Sequence, residues 1–123
     1  MYRLDGNPPT PVLLTRTPYD KEQTVIGGAG AAFDVMRAVQ AGYAVVIQDV
    51  RGRFASEGEF SPHFQQLCDG ADSIAWAAGQ PWSTGVVGGF DGSYLGCTQW
   101  LVARDNPNSL GAMASTVAPA DAL

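Results

Sequence analysis

A chain of 123 residues, 46% of them apolar and 15% charged, is composed for one globular domain or part of one and not for a disordered segment. Seven basic against twelve acidic side chains leave a net charge of -5 with no Lys/Arg block, which excludes the electrostatic footprint of a nucleic-acid binder. The opening MYRLDGNPPTP has no apolar signal region and no run approaches the roughly 18 apolar residues of a membrane span, so a cytoplasmic chain without membrane or nucleic-acid partners is expected.

In chain order, PVLLTRTPYD holds a short apolar run closed by Thr17-Pro18, which predicts a buried strand over Val12 to Thr15 and places Tyr19 just past its end. AAFDVMRAVQAG carries Phe33, Met36, Val39 and Gln40 at helical spacing, with Gly42 where a helix stops. YAVVIQDVRG is nearly all apolar from Tyr43 to Ile47, the pattern of a parallel strand buried on both faces. HFQQLCDGADSIAWAAG predicts a second helix with Phe64, Leu67, Ala71, Ile74 and Ala78 along its stripe. STGVVGGF, SYLGCTQWLVAR and LGAMASTVA then read as strand, helix and strand. The alternation argues for an α/β fold with a mostly parallel sheet and crossover helices, in which ligands bind beyond the carboxyl ends of the strands. There Tyr19, Asp49 and Ser93 would converge. Cys68 and Cys97 lie in helical segments without metal-ligand spacing and are read as small core residues, and no metal or cofactor is expected.

Two stretches carry competing chemistry. TVIGGAGAAFDVMRAVQAGYAVVIQDVR sets glycines before a helix and Asp49 about 20 residues on, the layout of a dinucleotide-binding βαβ unit. Only Val25 and Ile26 precede those glycines, Phe33 takes the third glycine's place, and DKEQ is polar. GGFDGSYLG allows a hairpin at Asp91-Gly92, since Asp-Gly between apolar runs is a hairpin signal. Against the hairpin, Tyr94, Cys97 and Leu101 follow at helical spacing, with Trp100 and Val102 flanking them. Strand, small-residue turn and helix make a nucleophile elbow, where a strained backbone projects the Ser93 hydroxyl and Gly92 and Gly96 leave room. A helix beginning at Ser93 also aims the Tyr94 N–H, backed by the helix dipole, at any oxyanion formed there.

WSTGVVGGFDGSYLG resembles the W-x-x-G-x-V-G-x-x-G-x-S-Y-x-G signature of the cocaine esterase and X-Pro dipeptidyl-peptidase (CocE/NonD) family of α/β-hydrolases, matching at Trp82, Gly85, Val87, Gly88, Ser93, Tyr94 and Gly96. RTPYDK is similar to its R-x-P-Y-x-K segment, and GYAVVIQDVRGRFASEGEF to its D-x-R-G-x-x-x-S-x-G-x-F strand and loop. The three segments are in the family's order and cover most of the chain. The resemblance implies an α/β-hydrolase acting as an esterase or dipeptidyl-peptidase on a small acyl ester or peptide. It makes Ser93 the nucleophile, the Tyr94 backbone N–H one oxyanion donor and the Tyr19 hydroxyl the other. One position departs: Asp91 stands where the family has a glycine, and the adjacent Gly92 is expected to take up the bend instead. Asp49 and Arg51 are expected to be structural, tying the loop RGRFASEG to the sheet edge.

A serine hydroxyl needs an adjacent base, and in α/β-hydrolases the acid and the histidine follow the serine in the chain. The sole histidine, His63, precedes Ser93 and is read as a surface or helix N-terminal residue, and Asp121 is not assigned to a triad. Residues 1–123 are therefore expected to be the nucleophile-bearing portion of a larger serine hydrolase, truncated at both ends and inactive alone. The non-enzymatic alternative is a hydrolase-like binding domain in which Asp91 marks lost chemistry.

Overall fold

The computed structural model describes residues 1–25, 33–62 and 65–118. Four strands form the sheet: β1 (Thr10–Thr17), β2 (Ala44–Asp49), β3 (Ser83–Gly92) and β4 (Leu110–Thr116), in the spatial order β2-β1-β3-β4. All three pairings are parallel. Four helices occur among the described residues: α1 (Lys21–Val25), α2 (Val35–Gln40), α3 (Gln66–Ala78) and α4 (Ser93–Ala103). None is long and apolar enough to cross a membrane.

The continuous apolar runs of β1 and β2 are explained by their neighbours, because alternate side chains bury on opposite faces of the sheet. Val12, Leu14, Ala44, Val46 and Val87 pack with Ile74 and Ala77 of α3 and Val102 of α4. On the other face Val45, Ile47 and Phe90 meet Val35 and Val39 of α2, and the rings of Phe33 and Phe90 stack 3.9 Å apart. Beyond α2 this second face opens toward β4: Val86 is exposed, and so are Ala112 and Ala114, which lie level with Gly88 and Phe90.

Local signals explain the helix ends. Asp34 Oδ1 accepts the Arg37 N–H at the start of α2, satisfying one of the amides a helix leaves open. After α2 the chain turns at Gly42, whose φ of 96° only glycine adopts without strain.

The helix faces differ from the sequence pattern. In α2 the buried pair is Val35 and Val39, while Met36 is 59% exposed. In α3 the buried stripe is Gln66, Gly70, Ser73, Ile74 and Ala77, displaced from Leu67, Ala71 and Ala78. This face also receives Arg16 from β1, whose Nη1 donates to the Gln66 backbone carbonyl and whose Nε donates to Gln48, which in turn accepts from Ser73 of the stripe. α4 is buried on most of its surface, from Leu95 through Gln99 and at Leu101 and Val102, so it shows no apolar stripe. Cys97 is buried as expected, but Cys68 is exposed on α3. The five residues of α1, KEQTV, are mostly polar and shorter than any periodic signal. His63, Asp121 and the glycines at 27, 28 and 30 lie outside the described residues.

Candidate active site

The Asp91-Gly92 stretch is not a hairpin. β3 continues through Gly92, paired in parallel with Ser115 and Thr116 of β4, and α4 begins at the next residue. Ser93 has φ 54° and an exposed side chain, so a non-glycine residue is held in left-handed backbone at the point where strand becomes helix. The N-cap of α4 is Gly92, which has no side chain to cap the helix, and the amides of a first helical turn point toward the side where Ser93 sits. The small residues around the turn are required by space. A Cβ on Gly96 would come within 2.6 Å of Ser115 Oγ and 3.2 Å of the Asp91 carbonyl, and one on Gly92 within 2.9 Å of the Thr116 carbonyl.

The bend at the departing position is not taken up by Gly92. Gly92 is extended, with φ -116° and ψ 174°, whereas Asp91 itself has φ 115°. Its Oδ1 accepts the Gly92 N–H at 2.8 Å. Burial pushes the Asp91 carboxyl above the ordinary carboxylate range, with the Gly92 amide acting in the opposite direction.

Tyr19 lies beyond the end of β1, the neighbour of β3, in a turn fastened on both sides. The Tyr19 N–H donates to Thr17 Oγ1 at 3.0 Å, and Asp20 next to it has φ 78°. Asp49, at the end of β2 and with its side chain 1% exposed, accepts the Lys21 N–H at 2.8 Å and the Lys21 ammonium at 2.9 Å. That hydrogen bond holds the Lys21 pKa above its ordinary value. From the loop of residues 50–62, Arg53 Nε donates to the Pro18 carbonyl at 3.1 Å while its guanidinium lies 5.2 and 5.4 Å from the ring centres of Phe54 and Phe60. Tyr19 stays 46% exposed, and its ring meets that of Tyr94 edge-on at 6.3 Å. The structure thus brings Tyr19 against the residue that follows Ser93.

Asp49 also fastens the following loop, since Ala55 N–H and Ser56 Oγ donate to its carboxylate and carbonyl. With these donors around it, the carboxylate is engaged within the chain rather than presented to a ribose. Arg51 ties the loop not to the sheet but to α3, through a two-pronged contact with Asp69 at 2.9 and 2.6 Å. Asp69 also faces Arg16 at 3.9 Å, and Gln48 Oε1 accepts from Arg16 Nε and Ser73 Oγ. Burial lowers the Arg16 pKa, against the pull of Asp69, and the Arg51 hydrogen bond lowers that of Asp69. Neither these pairings nor that of Arg53 with Pro18 has a local signal in the sequence beyond an arginine inside the otherwise apolar and hydroxyl run VLLTRT. Arg16, Arg51, Asp69 and Ser73 also line a cleft of about 380 Å³ with Trp76, on the β2 side of the sheet.

Comparison with known proteins gives one consistent set of relatives. The profile of the X-Pro dipeptidyl-peptidase (S15 family) matches residues 2–123. Cocaine esterase from Rhodococcus sp. (strain MB1 Bresler) is 47% identical over 121 residues, covering 98% of this chain and 21% of that protein. Among solved structures, a CocE/NonD family hydrolase from Staphylococcus aureus superposes with a TM-score of 0.77 at 31% identity, over 90% of this chain and 23% of the other. An aminopeptidase from a marine sediment archaeon, Thaumarchaeota archaeon, gives 0.73 at 28% identity, over 90% and 21%. The chain spans about a fifth of the length of these relatives.

Proposed function

This chain belongs to the X-Pro dipeptidyl-peptidase (S15) family, and on that premise we propose that it carries the nucleophile and the oxyanion half of a serine hydrolase that cleaves a small acyl ester or peptide. The observation that carries this reading is the elbow: Ser93 exposed at φ 54° between a parallel strand and the start of a helix, with Tyr19 against its neighbour. Ser93 Oγ attacks the carbonyl carbon, and the charge that develops on the carbonyl oxygen is met by the Tyr94 N–H and the Tyr19 hydroxyl. Two fixed donors in a fastened turn and at a helix N-terminus need little reorganisation as the charge forms, and that is where such a site gains rate. The proton of Ser93 must pass to a base. His63 is the one histidine of the chain, and we place the base and its acid partner instead in sequence beyond these residues, as the length of the relatives supports.

A fluorophosphonate probe applied to the complete product of the reading frame tests this directly. Labelling is expected at Ser93 and lost in Ser93→Ala. Tyr19→Phe is expected to lower kcat by about 10²- to 10³-fold, the usual cost of one oxyanion donor, with KM little changed. Labelling at another residue would overturn the assignment, as would stoichiometric binding of a nicotinamide dinucleotide without labelling.

A further inference from the structure

We propose that Asp91 is a positioning residue for Ser93: its carboxyl grips the Gly92 amide and so adds a restraint to the glycine that links the strand to the nucleophile. The inference rests on Ser93 being the nucleophile and goes beyond that reading.

Three consecutive residues make the turn, with φ of 115° at Asp91, -116° at Gly92 and 54° at Ser93. Gly92 has no Cβ and cannot accept one, because the Thr116 carbonyl would lie 2.9 Å from it. The link before the nucleophile is therefore obliged to be the most flexible residue type, and at the last pair of the β3–β4 ladder a second restraint narrows its conformation further. Asp91 supplies one through Oδ1, which accepts the Gly92 N–H at 2.8 Å. The Asp91 carbonyl is held in turn by Gln99 Nε2 of α4 at 3.4 Å, and it limits the space over Gly96. Asp91 thus connects strand, turn and helix within one residue of the nucleophile's own neighbour.

The arrangement is costly to the fold. Asp91 is a side-chain-bearing residue at a φ that suits glycine, and burial of its carboxyl disfavours the ionised form. A glycine would relieve both costs and would leave two adjacent glycines immediately before Ser93, restrained only by their pairing with β4. Stability and reactivity are therefore expected to move in opposite directions on substitution, an outcome that a purely structural side chain would not produce.

The experiment compares Asp91→Gly, Asp91→Asn and Ser93→Ala in the complete product of the reading frame, reading the denaturation midpoint, the rate of fluorophosphonate labelling at Ser93, and kcat and KM for an activated ester. Asp91→Gly is expected to raise the midpoint yet to lower the labelling rate and kcat by at least about tenfold, with KM little changed. Asp91→Asn keeps an oxygen acceptor and tolerates left-handed backbone, so it is expected to label within about threefold of the parent. The inference is overturned by an Asp91→Gly variant that labels as fast as the parent, by one that is both slower and less stable, or by an Asp91→Asn variant as slow as Asp91→Gly. Labelling of the parent that survives Ser93→Ala would instead overturn the nucleophile assignment, a separate and recognisable failure.

Discussion

Asp49 and Asp69 are both held inside hydrogen-bonded ion pairs, and their substitutions separate support from chemistry. Asp49→Asn loses the charge that pairs with Lys21 and part of the acceptor capacity that serves Lys21 and Ala55. Because the site is buried, the expected cost is about 1–3 kcal/mol in denaturant unfolding, with turnover per folded molecule retained. A large fall in turnover at an unchanged midpoint would contradict the structural role. Asp69 and Asp91 titrate in opposite senses. The folded-state pKa of Asp69 is depressed by Arg51, so its pair contributes stability above the unfolded value of about 3.9 and loses it as pH falls further through the folded value. The folded-state pKa of Asp91 is raised, so its contribution is complete below about pH 3.9 and is lost as pH rises through the folded value. Urea unfolding followed from neutral pH into acid is expected to show Asp69→Asn flattening the loss below about pH 4, and Asp91→Asn removing a gain above it.

At the scale of elements, the contact between α3 and α4 is made by a glycine. A Cβ on Gly70 would run into the Val102 side chain and come within 3.2 Å of Arg16 Nη1. Helix propensity alone would favour Gly70→Ala by up to about 1 kcal/mol. Overpacking at a closed contact costs more, so the expected result is destabilisation of about 1–3 kcal/mol by chemical denaturation. The same contact shows why strands were legible in the sequence and helix faces less so. Runs such as VLLT and AVVI, short, apolar and bounded by turn residues, read as buried parallel strands, whereas the buried stripe of α3 includes Gln66, Gly70 and Ser73, which no hydrophobic pattern selects. The elbow was legible because Ser93 and its glycines are neighbours in the chain. The fastening of Tyr19 was not, since Asp49 and Arg53 reach it across 28 and 35 positions and carry no local signal.

The whole chain sets two further expectations. Purified residues 1–123 are expected to hydrolyse p-nitrophenyl acetate no faster than their Ser93→Ala variant, because a serine without a base stays protonated near pH 7. Turnover abolished by that substitution would make His63 the base and remove the need for one elsewhere. Val86, Ala112 and Ala114 leave an apolar strip of sheet in solvent beside the edge strand β4, so the isolated chain is expected to self-associate, and Val86→Lys to reduce this in light scattering. The strand order has a consequence for synthesis. β1 leaves the ribosome before both of its sheet neighbours, β2 and β3, so its second edge waits until residues 83–92 have emerged. Translation paused in α3 would present a half-paired β1 to other nascent chains, and the serine-bearing turn would form only when β3 closes that edge, late and through distant contacts.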